Sequence, residues 1–181
     1  MEEDCFRKDV KFVNGDIIWK RKGENHLFIE MRHKRKLMSE EEVKRVLTDA
    51  EFGTLACISE NGYPYAVPLN FVYENAGIYF HSAHKGHKIN NIKQNEKVSF
   101  SAVSYVQLLP DKFDTEYDSV IVFGLVKEVT EDFEKKEALK GLIKKYSNEF
   151  WEKGIAYIDK SMHTAAVYKI QIEHMTGKRG R

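Results

Sequence analysis

Cysteine is nearly absent from this chain: only Cys5 and Cys57 occur, far apart and outside any Cys-x-x-Cys pattern. That scarcity excludes a disulfide framework and a cysteine-based zinc centre, and it suits a reducing compartment. An excess of charge of one sign is missing too. The 29 Lys and Arg nearly balance the 28 Asp and Glu, leaving a formal net charge of +1. No global basicity points to nucleic acid, so any basic feature must act locally. No apolar run approaches the roughly 18 residues of a membrane span, and the first residues carry no signal-peptide core. The expectation is a soluble, cytoplasmic protein with neither a membrane nor a nucleic-acid partner. Nucleophile elbow, Walker loop, dinucleotide fingerprint and zincin helix are all lacking. At 181 residues the chain can bury a real core as one domain with an appendage.

What is present is a series of short strands punctuated by tight turns. Residues 1–30 read as an N-terminal extension with two weak strand candidates, Asp16-Ile-Ile-Trp19 and His26-Leu-Phe-Ile29. The main domain is set at residues 31–181. It opens on a basic run, Arg32-His-Lys-Arg-Lys36, read as a solvated arm. Ser39 with Glu42 forms a capping box, and Val43, Val46, Leu47 and Ala50 repeat at helical spacing after it. Strands are predicted over 53–59, 65–73, 78–82, 97–106, 119–129 and 164–174. Asn61-Gly62 joins the first two as a hairpin turn, and Asn75 to Gly77 turns the second into the third. A helix is predicted over 87–93, and a longer one is capped by Thr130 with Leu139, Leu142, Ile143 and Tyr146 in register. Residues 148–162 read as a helical turn plus loop. Strands joined by tight turns, with helices only at the gaps, predict a mainly β fold of antiparallel barrel type with flanking helices.

The stretch with the strongest chemical content is Tyr79 to Lys88, a strand end, a turn containing Gly86 and a helix start. Lys85, His87 and Lys88 crowd that helix's amino end, where the dipole already carries positive charge and unpaired N–H groups. Cations there are unfavourable for stability alone; with an anion at the turn they become favourable. The inference is a phosphate site. His81, His84 and His87 recur every three residues, but strand, turn and helix aim them differently and no carboxylate or cysteine accompanies them, so no metal is assigned. Pro68, mid-strand, has two readings: an edge strand or bulge, or a backbone that faces a ligand with Asn70 offering amide bonds beside it. A phosphate site without a nucleophile or paired acids fits a cofactor that brings its own chemistry.

The run Gly62-Tyr-Pro-Tyr-Ala-Val-Pro-Leu-Asn-Phe-Val-Tyr73, then Tyr79-Phe-His-Ser82, Gly86-His-Lys88, Ser119-Val120 with Gly124, and Thr176-Gly-Lys178 resembles the nitroimidazole-resistance (NimA-like) branch of the pyridoxamine 5'-phosphate oxidase-like flavoproteins. The likeness runs from about residue 31 to 179. It implies a six-stranded antiparallel split β-barrel of Greek-key type, a homodimer, and FMN in clefts at the subunit interface. Gly86, His87 and Lys88, with Lys85, look like the phosphate-binding segment, and His81 and Ser82 like the strand end beside the ribityl chain. Val67, Pro68, Leu69 and Asn70 resemble the strand along the isoalloxazine ring. Ser119 aligns with a polar residue that reaches the flavin, and Lys178 with a position near the cofactor or partner subunit. Two departures matter: the carboxy-terminal Arg-Leu and Pro of the B6 oxidases are missing, and His87 stands where those enzymes have arginine. Vitamin B6 oxidation is therefore not expected.

The resemblance implies an FMN-dependent oxidoreductase, nitroreductase-like, passing electrons through flavin N5 to a small electrophile such as a nitroimidazole. No catalytic residue is assigned; His81 is the substrate-facing candidate. The alternative is a flavin- or haem-binding module without turnover.

Overall fold

The structure, a computed structural model, describes residues 9–13, 16–20 and 28–180. The chain divides into two compact units, Met1–Arg32 and His33–Arg181. The first holds an antiparallel pair, β1 (Asp9–Val13) and β2 (Asp16–Lys20). β2 covers the 16–19 patch. Phe28 and Ile29 of the second patch lie outside any strand, and His26 and Leu27 fall outside the described residues.

The second unit is a seven-stranded antiparallel sheet with four helices. In order these are α1 (Glu40–Asp49), β3 (Gly53–Ile58), β4 (Pro64–Leu69), β5 (Val72–Glu74), β6 (Gly77–Ser82), α2 (His87–Gln94), β7 (Lys97–Leu109), β8 (Asp114–Glu128), α3 (Asp132–Tyr146), α4 (Trp151–Ser161) and β9 (Ala166–Arg179). The sheet order is β4-β3-β7-β8-β9-β6-β5. The predicted second strand is broken: Asn70 and Phe71 leave the ladder, so β4 and β5 become separate strands at opposite edges. Only those two residues join them, which limits the separation of Leu69 and Val72 to about 11 Å. The sheet must therefore curl until its edges nearly meet. Its edges are linked by chain rather than by a ladder, which is a split barrel.

Alternation explains where the core sits. Leu55, Phe71, Ile78, Phe80, Phe100, Val122 and Ile170 are buried inside the curl, and Phe71 meets Phe100 edge-on at 4.8 Å between ring centroids. Val43, Val46 and Leu47 of α1 and Ile89 and Ile92 of α2 join the same cluster. The capping box forms as predicted, Ser39 N–H donating to Glu42 Oε2 at 2.8 Å and Glu42 N–H to Ser39 Oγ at 3.4 Å. The Asn61-Gly62 hairpin forms too, with Gly62 at φ +83° and its N–H bonded to Ser59 O at 2.8 Å.

Three expectations are corrected. The cap of α3 is Glu131, whose carboxylate accepts from Glu134 N–H at 2.7 Å, not Thr130. Residues 151–161 are a full helix, α4, with Trp151, Ile155 and Ile158 at helical spacing and only Ile158 of them buried. β7, β8 and β9 extend to Leu109, back to Asp114 and on to Arg179, because their outer halves bury almost nothing and leave no period-two pattern to read. At the β8–β9 bulge, a Cβ on Gly124 would lie 2.2 Å from Gln171 O, so only glycine fits there. Among the described residues no helix is long and apolar enough to cross a membrane.

Candidate functional site

The site is built where β6 ends and α2 begins. β6 pairs with β9 through His81↔Val167 and Ser82↔Ala166, which fixes both side chains at the mouth of the sheet. The chain then turns through Gly86, at φ +139° and ψ +169°, a conformation essentially confined to glycine. Gly86 is the N-cap of α2, no side chain caps the helix, and its first turn holds no acid. The leading amides are thus left without a side-chain acceptor while Lys85, His87 and Lys88 stand beside them. The electrostatics agree. Burial pushes the Lys88 ammonium below its ordinary value, and burial followed by the charge of Lys88 pushes the His81 imidazole below 6.5. Both shifts disfavour the charged form of these two groups, a cost that a bound anion would offset.

Three contacts draw the surrounding elements onto this turn. His87 packs on Tyr65 of β4, ring centroids 4.2 Å apart. The Lys88 ammonium lies 5.7 Å from the centre of the Phe80 ring on β6. His87 Nε2 sits 3.0 Å from Ser59 Oγ at the end of β3. Ser59 also accepts from the buried Asn91 amide at 3.1 Å, which reaches Cys57 Sγ at 3.5 Å. One ring nitrogen of His87 is therefore engaged with the hairpin, leaving Nδ1 for an anion. Ser59 and Asn91 escaped the sequence reading, although Asn91 lies four residues beyond His87, on the same helix face.

β4 is an outermost strand, paired only with β3, and Pro68 stands exposed opposite Thr54. The edge-strand reading of this proline is met, since edge strands tolerate it, and among the described residues the side of Val67–Asn70 away from β3 carries no ladder. Val67 packs on the core, Leu69 is buried and Asn70 is half-buried. This edge, the β6 end and the α2 start thus form one region through Tyr65, Phe80 and their partners.

Ser119 and Lys178 do not belong to that region within one chain. They face each other across β8 and β9, Ser119 Oγ donating to Lys178 O at 3.5 Å. The Lys178 ammonium donates to Tyr117 Oη and lies 4.9 Å from the centre of that ring. Val167, the partner of His81, is eleven residues away along β9, roughly 35 Å of extended strand. His84 turns away, its Nδ1 3.9 Å from Glu128 Oε1. Among the described residues no group of three His, Cys, Asp or Glu is placed to hold a metal ion.

The chain resembles solved structures over most of its length. A candidate 5-nitroimidazole antibiotic resistance protein from Bacteroides thetaiotaomicron is 25% identical, with a TM-score of 0.68 over 79% of this chain and 86% of that one. A FAD-binding protein from Mesorhizobium loti is also 25% identical, with a TM-score of 0.59 over 81% of this chain and 98% of that one. The flavocytochrome Anf3 from Azotobacter vinelandii, at 18% identity, shares the fold with a TM-score of 0.69 over 83% of this chain and 72% of that one. No curated protein matches. The family model described as pyridoxamine 5'-phosphate oxidase matches residues 39–179, from the capping box of α1 to the end of β9. With that match over most of its length and the split barrel around it, the chain belongs to the pyridoxamine 5'-phosphate oxidase family.

Proposed function

We propose that the chain is a flavin-dependent oxidoreductase. It holds FMN, or the FMN half of a larger flavin, by its phosphate at Gly86–Lys88, and a small electrophile of the nitroaromatic class takes the electrons. The observation that carries this reading is the α2 start: a Gly-only turn, uncapped amides and cations without an acid in the same turn. Those residues fit a phosphate ester. Lys85, Lys88 and the α2 amides would hold the phosphate, Ser82 and His81 would flank the chain leading from it, and the open edge of Val67–Asn70 would lie along the ring. When bound, the flavin supplies redox chemistry that no side chain here provides. The chain's own residues anchor, orient and shield it. His81, kept neutral at pH 7 by burial and by Lys88, is placed to exchange a proton with a ligand at the mouth.

The proposal includes a homodimer. Ser119 and Lys178 reach the flavin only if a second copy brings them. The outward face of β7 and β8, where Val103, Ile121 and Phe123 are 46%, 47% and 37% exposed, is the surface such a copy would cover. Support for the acceptor class comes from the Bacteroides protein at 25% identity, and for a flavin from the Mesorhizobium protein at the same identity.

The test is spectroscopic. Protein loaded with flavin is reduced anaerobically by a reduced nicotinamide, and a nitroimidazole is then added. The expected result is loss of the flavin absorbance followed by its return, with one product per electron pair or small multiple of it. A flavin that no donor bleaches and no acceptor restores would rule out the enzyme and leave a flavin- or haem-holding module.

A further inference from the structure

One phenol on the outward sheet face has no part in the function so far. Tyr117 precedes Ser119 by two residues on β8, so strand alternation sets it on the side of Ser119, Ile121 and Phe123. Glu116 and Asp118, its chain neighbours, line a different groove with Arg179. The Tyr117 side chain is closely held. Gly180 N–H donates to Tyr117 O at 2.6 Å, and a Cβ on Gly180 would come to 2.5 Å from the ring, which therefore rests directly on the glycine. Lys178, paired with Ser119 across the β8–β9 ladder, donates its ammonium to Tyr117 Oη.

The result is a set of donors without an acceptor. Tyr117 Oη accepts from Lys178, while its own O–H donates to no group among the described residues. Lys178 makes no ion pair among them either. The nearest hydroxyl, Ser119, donates to Lys178 O. In a single chain water meets these groups, because both residues are only half-buried. Under the second copy proposed above, the strip of Val103, Ile121 and Phe123 is covered and that water leaves. A phenol O–H enclosed without an acceptor is costly, unless a ligand oxygen accepts from it.

Position selects the ligand. Ser119 and Lys178 are the residues given to the flavin, and Tyr117 stands about 7 Å beyond Ser119 along the strand, tied to Lys178. We infer that Tyr117 of one copy is a substrate-binding residue of the site it completes in its partner, its O–H donating to a nitro oxygen of the electron acceptor. The inference rests on the flavin and the homodimer of the proposed function. A nitro group suits this donor set, since its oxygens accept hydrogen bonds and donate none. The adjoining ammonium adds positive field where negative charge develops as that group takes up electrons. The role is one of binding, and no bond forms or breaks at Tyr117.

The test uses flavin-loaded protein in its oxidised form, where nothing turns over. Wild type and Y117F are each dialysed to equilibrium against a methylnitroimidazole and against the methylimidazole lacking the nitro group. Phenylalanine keeps the ring on Gly180 and removes only the hydroxyl. Wild type is expected to hold the nitro compound about tenfold more tightly than its counterpart, and Y117F to lose that preference, as the loss of one hydrogen bond predicts. Flavin affinity and the dimer should be the same in both proteins. A wild type without the preference, or a Y117F protein that keeps it, would overturn the inference. Flavin affinity falling in parallel would make Tyr117 a cofactor contact and overturn it too. The flavin reading is judged apart, on wild type alone. If no acceptor restores its reduced flavin, that reading falls and takes this inference with it. If the flavin is restored while Y117F keeps the preference, only this inference falls.

Discussion

At the level of single residues, Lys88 and His81 make the site testable. Lys88 is half-buried, and its ammonium faces the Phe80 ring without a carboxylate within ion-pair distance among the described residues. Replacing it by alanine removes a charged donor from the phosphate and should weaken flavin binding by about 1.5–3 kcal/mol, the range for hydrogen bonds to charged groups. Isothermal titration of the K88A variant checks this; unchanged affinity would count against the phosphate turn. His81 adds a pH dependence. Its folded value lies below 6.5, so the fold favours the neutral ring. The stability it contributes is present above 6.5 and is lost as pH falls through the folded value. A bound phosphate acts oppositely, favouring the protonated ring. Flavin affinity should therefore rise as pH is lowered from about 8 towards about 5.5, and rise less in H81A. A pH series of titrations on both proteins decides it. Lys88 was legible in the sequence because cations at a helix start conflict with the dipole, and His81 through the Tyr79-Phe-His-Ser82 strand end that carries the family resemblance. The engagement of His87 with Ser59 was not, since it depends on a hairpin and a helix that only the fold brings together.

Among the elements, α1 shows what local chemistry can specify. Ser39, Glu42 and the apolar spacing after them are enough to name the helix, its start and its buried face. Arg179 was invisible there: it reaches from the last residue of β9 to Glu42 Oε1 at 2.8 Å and to Asp118 Oδ1 at 3.2 Å. The Ser39 backbone N–H, the Ser39 hydroxyl and Arg179 together hold the Glu42 carboxyl at about 2. A depressed carboxylate stabilises the fold above its ordinary value near 4.5 and loses that contribution as pH falls towards 2. The S39A variant should lower stability by about 1 kcal/mol, the usual cost of losing an N-cap. It should also flatten the acid limb between pH 4.5 and 2 in denaturant melts. The outer halves of β7 and β8, which bury little, were misread; so were α4, despite Trp151, Ile155 and Ile158 at helical spacing, and the strand broken at Asn70 and Phe71. Hydrophobic period reports burial against the chain itself, so a surface reserved for something else leaves no such mark.

That last point carries to the whole molecule. β8 buries Val120 and Val122 on one face and presents Ser119, Ile121 and Phe123 on the other. Beside them Val103 of β7 pairs with Ser119, and Thr176 and Lys178 of β9 pair with Ile121 and Ser119. A sheet face carrying branched and aromatic residues at this exposure is a liability in a monomer and an asset under a second copy. The same face holds Ser119 and Lys178, the two assigned residues that one chain keeps roughly 35 Å of strand from His81. One symmetric contact would cover the apolar strip and bring the second half of each site to the first. The I121R substitution places a charge in the middle of that strip and should convert a dimer to a monomer by light scattering, with flavin lost in parallel. Flavin readdition distinguishes the causes: excess flavin should restore the dimer only weakly, because the ligand must then work against a buried charge. K178A, at the rim, should keep the dimer and reduce flavin affinity alone. An I121R monomer that keeps its flavin at full affinity would show the site to be complete within one chain, and Ser119 and Lys178 would lose their assignment.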